Sequence, residues 1–356
     1  MKKGIRYYCY GGHNGLCIAA KNYILSLVGV GYQVDVRFIN KYDIDSDNPL
    51  YDMVDNDIQY DVVIAHSLCN RYKEISEIEN GKYIIGLAVW ETTKLSKDYV
   101  EALQYVDELI LPCKWNVPIF KRSFSGPISV IPHVISSDLR VDPLMINHNK
   151  FMFYFIGEWC ERKNIEGLIK CFNVAFGNDK NIILYIKTFM FHNVMSERDF
   201  KRYKRSFQRH NVIINSDEVE DEMIASIHRR GDCFISLSAG EGVGIPLCDA
   251  AYHGNMIVTM NFGGFMEYVR DPIIISHQLV TANPCSSYHM GCGNTCNYYS
   301  CYDDGQQMWA QYDEQEVIST MQDIVKGKIT KRAYAPFTRD NFNEANIGKK
   351  FISLIK

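Results

Sequence analysis

Apolar residues along the chain fall into alternating short runs and helical stripes. Ile5–Tyr10 is an apolar and aromatic run that stops at Gly11-Gly12. From Leu16, the positions Leu16, Ala20, Tyr23, Ile24 and Leu27 recur at intervals of 4, 3, 1 and 3, tracing one face of an α-helix. Gly29 and Gly31 end that helix, and Gln33–Ile39 resumes as a strand. Asp61–His66 (DVVIAH) is almost continuously apolar, the mark of a strand covered on both faces. Tyr83–Trp90, Glu108–Pro112 and Ile128–Ile131 are predicted strands, with helices over Ser96–Tyr105 and Trp115–Phe124. Ser136–Lys150 has no period and reads as a linker.

After the linker the alternation starts afresh. Strands are expected at Phe151–Gly157, Ile182–Lys187, Val212–Ile214, Cys233–Leu237 and Met256–Met260. Helices are expected at Asn164–Phe176, Glu197–Phe207, Glu220–Arg229 and Gly244–Tyr252, and two more, Glu314–Val325 and Asn343–Ile355, close the chain. Strand and helix alternating in this way predict an α/β protein with two Rossmann-like, doubly wound parallel-sheet domains. Their expected bounds are 1–140 and 141–335, followed by a terminal helix over 336–356. In open parallel sheets ligands bind at the carboxyl ends of strands, near a topological switch point. Two such sheets facing across a cleft can shut around two substrates and exclude water.

Composition narrows the class. With 356 residues the chain has room for about two domains of ~150 residues each. Apolar residues make up 47%, enough for two cores. The 38 basic and 42 acidic residues nearly cancel, to a net charge of −4, which excludes a surface that is polycationic throughout. No apolar run reaches the ~18 residues of a membrane span, and the start lacks the apolar core of a secretory signal. A cytoplasmic, reducing location follows as the expectation. The twelve cysteines fit it, since Cys9, Cys17, Cys171, Cys233 and Cys248 sit inside apolar patterns where cysteine acts as a small hydrophobe.

The most informative stretch is Cys233–Tyr268 (CFISLSAGEGVGIPLCDAAYHGNMIVTMNFGGFMEY). A strand runs into the turn Gly240-Glu241-Gly242-Val243-Gly244, and a helix follows with Pro246 in its first turn. Glycine N–H groups and a helix N-terminus can hold a phosphate, while Glu241 and Asp249 can accept hydrogen bonds from sugar hydroxyls. A tight turn with acids that stabilise the helix dipole is the plainer reading of the same residues.

This segment resembles the donor-binding signature of retaining glycosyltransferases of family 4, which have the GT-B fold. In that family two glutamates with seven residues between them flank a Gly-x-Gly-x-Pro turn. Here they correspond to Glu241 and, eight positions on, Asp249. His253-Gly254, Met256–Met260, Gly263-Gly264 and Glu267 match the pattern that follows. The resemblance implies that Glu241 contacts the transferred sugar and Asp249 the ribose. Phe153–Leu168 (FYFIGEWCERKNIEGL) is similar to the family's element in which an arginine and a lysine neutralise the donor diphosphate. Lys163 matches the lysine. Glu158 stands where the family has its arginine, so either Arg162 substitutes from the loop or one contact is missing.

Weaker signals keep the family's order. Gly11–Gly15, with Gly12, corresponds to its glycine-rich loop. Trp90–Lys94, Val106–Asn116 and Ile131–Val134 resemble its later N-terminal motifs, and Trp309–Asp313 resembles the start of a late helix. In this fold the closing helix returns to the first domain. His66 ends a buried strand; it reads either as a hydrogen-bonded core histidine or as a contact to donor or acceptor, and His13 carries the same ambiguity. The expected activity is retaining transfer from a nucleotide-diphosphate sugar, foremost a UDP-sugar, to an acceptor glycan or small molecule, with no cofactor required for catalysis.

Two features leave alternatives open. Cys285, Cys292, Cys296 and Cys301 lie within 17 residues, with His289 among them, as free thiols, a structural zinc site or a disulfide. Lys201-Arg202-Tyr203-Lys204-Arg205 and Arg209 form a basic helix, either a solvated face or a DNA-backbone contact. The DNA reading makes the chain a phage- or virus-type enzyme that glycosylates a hydroxymethylated base, which would have to be flipped out. A third reading is an inactive nucleotide-sugar or glycan-binding module.

Overall fold

A computed structural model of the chain describes residues 4–12, 14–42, 44–137, 140–146, 149–189, 196–282 and 305–355. The cysteine cluster, His289 and His13 lie outside the described residues. The chain divides into two compact units: Met1–Trp90 with Leu95–Ser136 and Arg339–Lys356, and Glu91–Lys94 with Ser137–Thr338.

The N-terminal unit begins with β1 (Gly4–Cys9), α1 (Gly15–Gly29), β2 (Gln33–Phe38), β3 (Tyr60–His66) and α2 (Tyr72–Ile78). It continues with β4 (Tyr83–Leu87), α3 (Lys97–Ala102), β5 (Glu108–Leu111), α4 (Val117–Phe120) and β6 (Ile128–Val130). The six strands form one parallel sheet in the order β2-β1-β3-β4-β5-β6. Asn14 starts α1 because its side-chain oxygen accepts from the amides of Leu16 (3.0 Å) and Cys17 (3.2 Å). The helix then buries Ala20, Tyr23, Ile24 and Leu27 against Ile5, Tyr7, Val34 and Val36 of the sheet. The helical interval of those four residues in the sequence is thus the stripe that makes this core.

The predicted helix over Trp115–Phe124 is shorter than its pattern. It is a 3-10 turn at Lys114–Asn116 followed by α4, which ends at Phe120. Ile119 and Phe120 are buried, but Lys121, Arg122 and Ser123 are exposed, so no apolar face remains to carry a further turn.

The C-terminal unit runs β7 (Phe151–Glu158), α5 (Ile165–Phe176), β8 (Ile182–Phe189), α6 (Glu197–Arg205), β9 (Val212–Asn215), α7 (Asp221–Arg230) and β10 (Cys233–Ser236). It continues with α8 (Ile245–His253), β11 (Met256–Met260), β12 (Ile273–Ile275), β13 (His277–Thr281), β14 (Met308–Tyr312) and α9 (Glu314–Val325). Its six-stranded parallel sheet has the order β12-β11-β10-β7-β8-β9, the doubly wound arrangement in which winding reverses between β7 and β10. Trp309–Asp313, expected to open a helix, is instead mostly strand. β14 pairs antiparallel with β13, and only Asp313 belongs to the helix, where it caps α9 by accepting from the Glu316 amide at 2.9 Å.

The chain closes with α10 (Ala335–Asn341) and α11 (Glu344–Leu354). α11 packs in the N-terminal unit, its Ile347 and Phe351 joining that core and Phe351 meeting the Tyr23 ring edge-on at 5.4 Å. Gly348 lets the two helices touch: a Cβ there would lie 2.7 Å from the Ser26 carbonyl oxygen of α1.

Candidate functional site

Reversal of winding between β7 and β10 leaves two loops side by side at the carboxyl ends of these strands, with no crossover between them. The loop after β7 carries Arg162 and Lys163, and the loop after β10 carries Gly240–Gly244. The Ala239 amide donates to the Arg162 carbonyl at 2.7 Å, and Arg162 Nη1 donates to the Gly240 carbonyl at 2.6 Å. Backbone and side chain of one arginine therefore fix one loop to the other.

Glu241 sits where the loops meet and is 7% exposed. Lys163 Nζ donates to its Oε1, and Arg162 Nη1 lies 3.4 Å from its Oε2. Burial alone would raise the carboxyl's pKa. The charges of Lys163 and Arg162, with hydrogen bonds from Lys163 and Ser238, outweigh it and hold the group below its ordinary value. Glu241 is thus a buried anion, kept ionised by two cations. Glu91, in the segment the C-terminal unit takes from the earlier chain, adds a carboxylate 4.0 Å from Arg162 Nη2.

Glycine is required at two points around this acid. A Cβ on Gly240 would meet the Glu91 carbonyl oxygen at 2.1 Å. Gly263 has φ +140°, and a Cβ there would stand 2.6 Å from the Glu241 carbonyl oxygen. That carbonyl and the one of Gly242 both accept from the Gly264 amide, each at 3.2 Å. Gly244, in the left-handed region at φ +71°, turns the chain into α8, with Pro246 in the first turn and Val243 buried beside it.

Asp249, one turn into α8, keeps some solvent contact and has no hydrogen-bond partner among the described residues. Burial and the nearby Asp221 push its carboxyl up to about 8. Two acids eight positions apart are thus held oppositely: Glu241 charged and paired, Asp249 close to neutral and free to receive a partner.

The remaining expected residues sit in the N-terminal unit or serve other ends. Gly12 (φ +133°) follows β1, at that unit's own reversal point between β1 and β3, where Asn40 brackets the backbone of Gly11. His66 ends β3 wholly buried. Its Nδ1 bonds the Tyr7 hydroxyl at 2.8 Å, its Nε2 has no hydrogen-bond partner among the described residues, and burial with the neighbouring His133 depresses its pKa. These surroundings are those of a neutral core histidine. Glu91 belongs to the Trp90–Lys94 motif, though no site role was expected of it, and Lys187, near the end of β8, escaped the sequence reading. The signal for Lys187 was a lysine closing the otherwise apolar run ILYIK.

Residues 139–284 match the family model described as Glycosyl transferases group 1. No curated protein matches the chain. Among solved structures, the chain is similar to pneumococcal O-GlcNAc transferase GtfA in complex with UDP and GlcNAc, at 12% identity and a TM-score of 0.54. That match covers 82% of this chain and 56% of the other, so the chain spans about half of that protein's length. Sucrose-phosphate synthase from Thermosynechococcus elongatus aligns at 12% identity and a TM-score of 0.64, over 100% of this chain and 95% of that one. HepE of Anabaena, in complex with UDP and glucose, aligns at 12% identity and a TM-score of 0.62, over 99% of both chains. At such identities the likeness is one of fold, the GT-B arrangement of two parallel-sheet units.

Proposed function

For a glycosyltransferase of the GT-B fold that carries a group 1 domain over residues 139–284, we propose retaining transfer from a nucleoside-diphosphate sugar held by the C-terminal unit, with a UDP-sugar foremost. The observation that carries this reading is the pairing of Lys163 with the buried Glu241 at the switch point. Lys163 has three N–H donors and spends one on Glu241. The others remain for diphosphate oxygens, where negative charge grows as the glycosidic bond breaks. Stabilising a leaving group in this way is worth several kcal/mol when the site is preorganised and dry, about 2.7–4 kcal/mol for a single donor. Glu241, held charged, accepts from hydroxyls of the transferred sugar. Asp249 receives the ribose hydroxyls.

Arg162 has a structural part beside the one expected of it. Its Nη1 is committed to the Gly240 carbonyl and lies beside Glu241, so it shapes the acid turn, and in this reading phosphate contact falls mainly to Lys163 and the loop amides. The acceptor is a sugar hydroxyl or small molecule in this reading; the basic helix does not favour DNA. On α6, Lys201 pairs with Glu197, Lys204 with Ser216 and Tyr203 with Glu166. No helix among the described residues is long and apolar enough to cross a membrane.

The test is release of nucleoside diphosphate from a panel of UDP-, GDP- and ADP-sugars. One donor should turn over, slowly by hydrolysis or faster with acceptor. Glu241→Gln should lower the rate at least 100-fold while the melting profile stays cooperative. Failure of the whole panel to bind or react, or full turnover by the Gln variant, overturns the proposal.

A further inference from the structure

Lys187 is a buried cation, 6% exposed, that the reaction just described does not use. Its Nζ makes one long hydrogen bond, 3.3 Å to the Thr188 carbonyl, and no carboxylate lies within 4.0 Å of it among the described residues. An ammonium taken from water with most of its donors unmet is costly, and such a group is explained by an acceptor that arrives with a ligand.

Strand register indicates which part of a ligand that is. Lys187 lies across from Ile156 on one side and Asn215 on the other, so Lys187, Tyr185, Ile156 and Tyr154 share one face of the sheet. Asp249 acts electrostatically on Tyr154 from that face. Gly157, beside which the Lys163 stem runs, pairs with Thr188 and belongs to the opposite face. Lys187 therefore shares its face with the ribose acid and not with the phosphate lysine. Asp217 and Glu218, in the loop after β9, lie close enough to influence its charge, as does Lys204 of α6.

Resting on the donor reading above, we propose that Lys187 reads the nucleobase: it donates to a ring carbonyl oxygen, while Asp217 or Glu218 accepts from the ring N–H beside that carbonyl. Uracil and guanine present this edge. Cytosine has an unprotonated ring nitrogen next to its carbonyl, and adenine has no carbonyl.

The experiment is calorimetric titration of the full chain with UDP, GDP, CDP, ADP and inorganic pyrophosphate, for wild type and for Lys187→Met. Wild type should bind UDP or GDP more tightly than CDP and ADP by about 10- to 100-fold, the worth of one charged hydrogen bond. In Lys187→Met that ratio should fall to about threefold or less, with pyrophosphate affinity unchanged. Lys187→Gln, which keeps a donor, should retain part of the ratio and serves if the Met variant does not fold. Equal binding of all four nucleotides by wild type, or an undiminished ratio in the variants, overturns the role of Lys187 and leaves the donor site standing. No binding of any nucleotide or of pyrophosphate to wild type overturns both.

Discussion

Replacing Lys163 by methionine keeps most of the stem and removes the charge. Glu241, 7% exposed, is left with Arg162 at 3.4 Å to neutralise it. Removing one partner of a buried ion pair costs about 3–5 kcal/mol, and the remaining guanidinium should hold the loss to about 2–3 kcal/mol. For a unit of this size that is a fall in melting temperature of roughly 4–12 °C. The sign of the pH dependence follows from Glu241, whose folded pKa lies below its ordinary 4.5. The pair's stabilisation is present above about pH 4.5 and disappears as pH falls through the lower folded value. In Lys163→Met the carboxyl loses its main cation, burial dominates, and its pKa rises. Lowering the pH from 8 to 5 then protonates Glu241 in the variant, and the gap to wild type narrows. Adding Glu241→Gln to Lys163→Met removes the orphaned charge and should recover stability at pH 8. Thermal unfolding of wild type, the single variant and the double variant at pH 8, 6.5 and 5 checks all three points. A gap that is constant with pH, or absent at pH 8, would refute a charged buried pair.

Other residues carry sharper single outcomes. Asp249→Asn should stabilise the unliganded protein at pH 8 by on the order of 1–3 kcal/mol, less than the full shift because the carboxyl keeps some solvent contact. The wild-type carboxyl, raised to about 8, favours folding while protonated. The variant's advantage should therefore be small near pH 4, grow as pH rises toward 8 and level off beyond it, a trend readable from melting curves. Gly263→Ala forces a Cβ to 2.6 Å from the Glu241 carbonyl at φ +140°, so it should cost about 1–3 kcal/mol and depress turnover together, whereas Gly327→Ala, with open space around it, should leave turnover alone. Tyr7→Phe removes the only hydrogen-bond partner of the buried His66 ring among the described residues and should cost about 1–3 kcal/mol in denaturant unfolding; an unchanged midpoint would show that the hydrogen bond carries nothing.

The two-unit α/β architecture was legible because it depends on local periodicity. Ala20, Tyr23, Ile24 and Leu27 announce their helix face wherever the helix packs, and continuous apolar strands announce a sheet covered on both sides. The acid turn was legible for a related reason: Gly240–Gly244, Pro246 and the two acids are close in sequence, and strand, turn and helix fix their geometry. What escaped depends on partners distant in sequence. Arg162 looks like a phosphate ligand beside Lys163, and its bond to the Gly240 carbonyl, 78 residues on, is a further role that no local pattern announces. The late helix was legible at Glu314–Val325, but the pairing of β14 with β13 just before it was not, because strand pairing, not propensity, decides a five-residue segment. His66 is ambiguous in sequence since both of its readings end a buried strand, and its bond to the Tyr7 hydroxyl, 59 residues away, is invisible there. Arg162 and Lys187 fail to read for different reasons: one cation bonds a backbone carbonyl that the sequence does not place beside it, and the other is buried where the sequence would have it solvated. A cation at the carboxyl end of a parallel strand is therefore best judged by what its donors already hold. Lys163 commits one of its three donors to Glu241, which suits the proposed contact to a diphosphate.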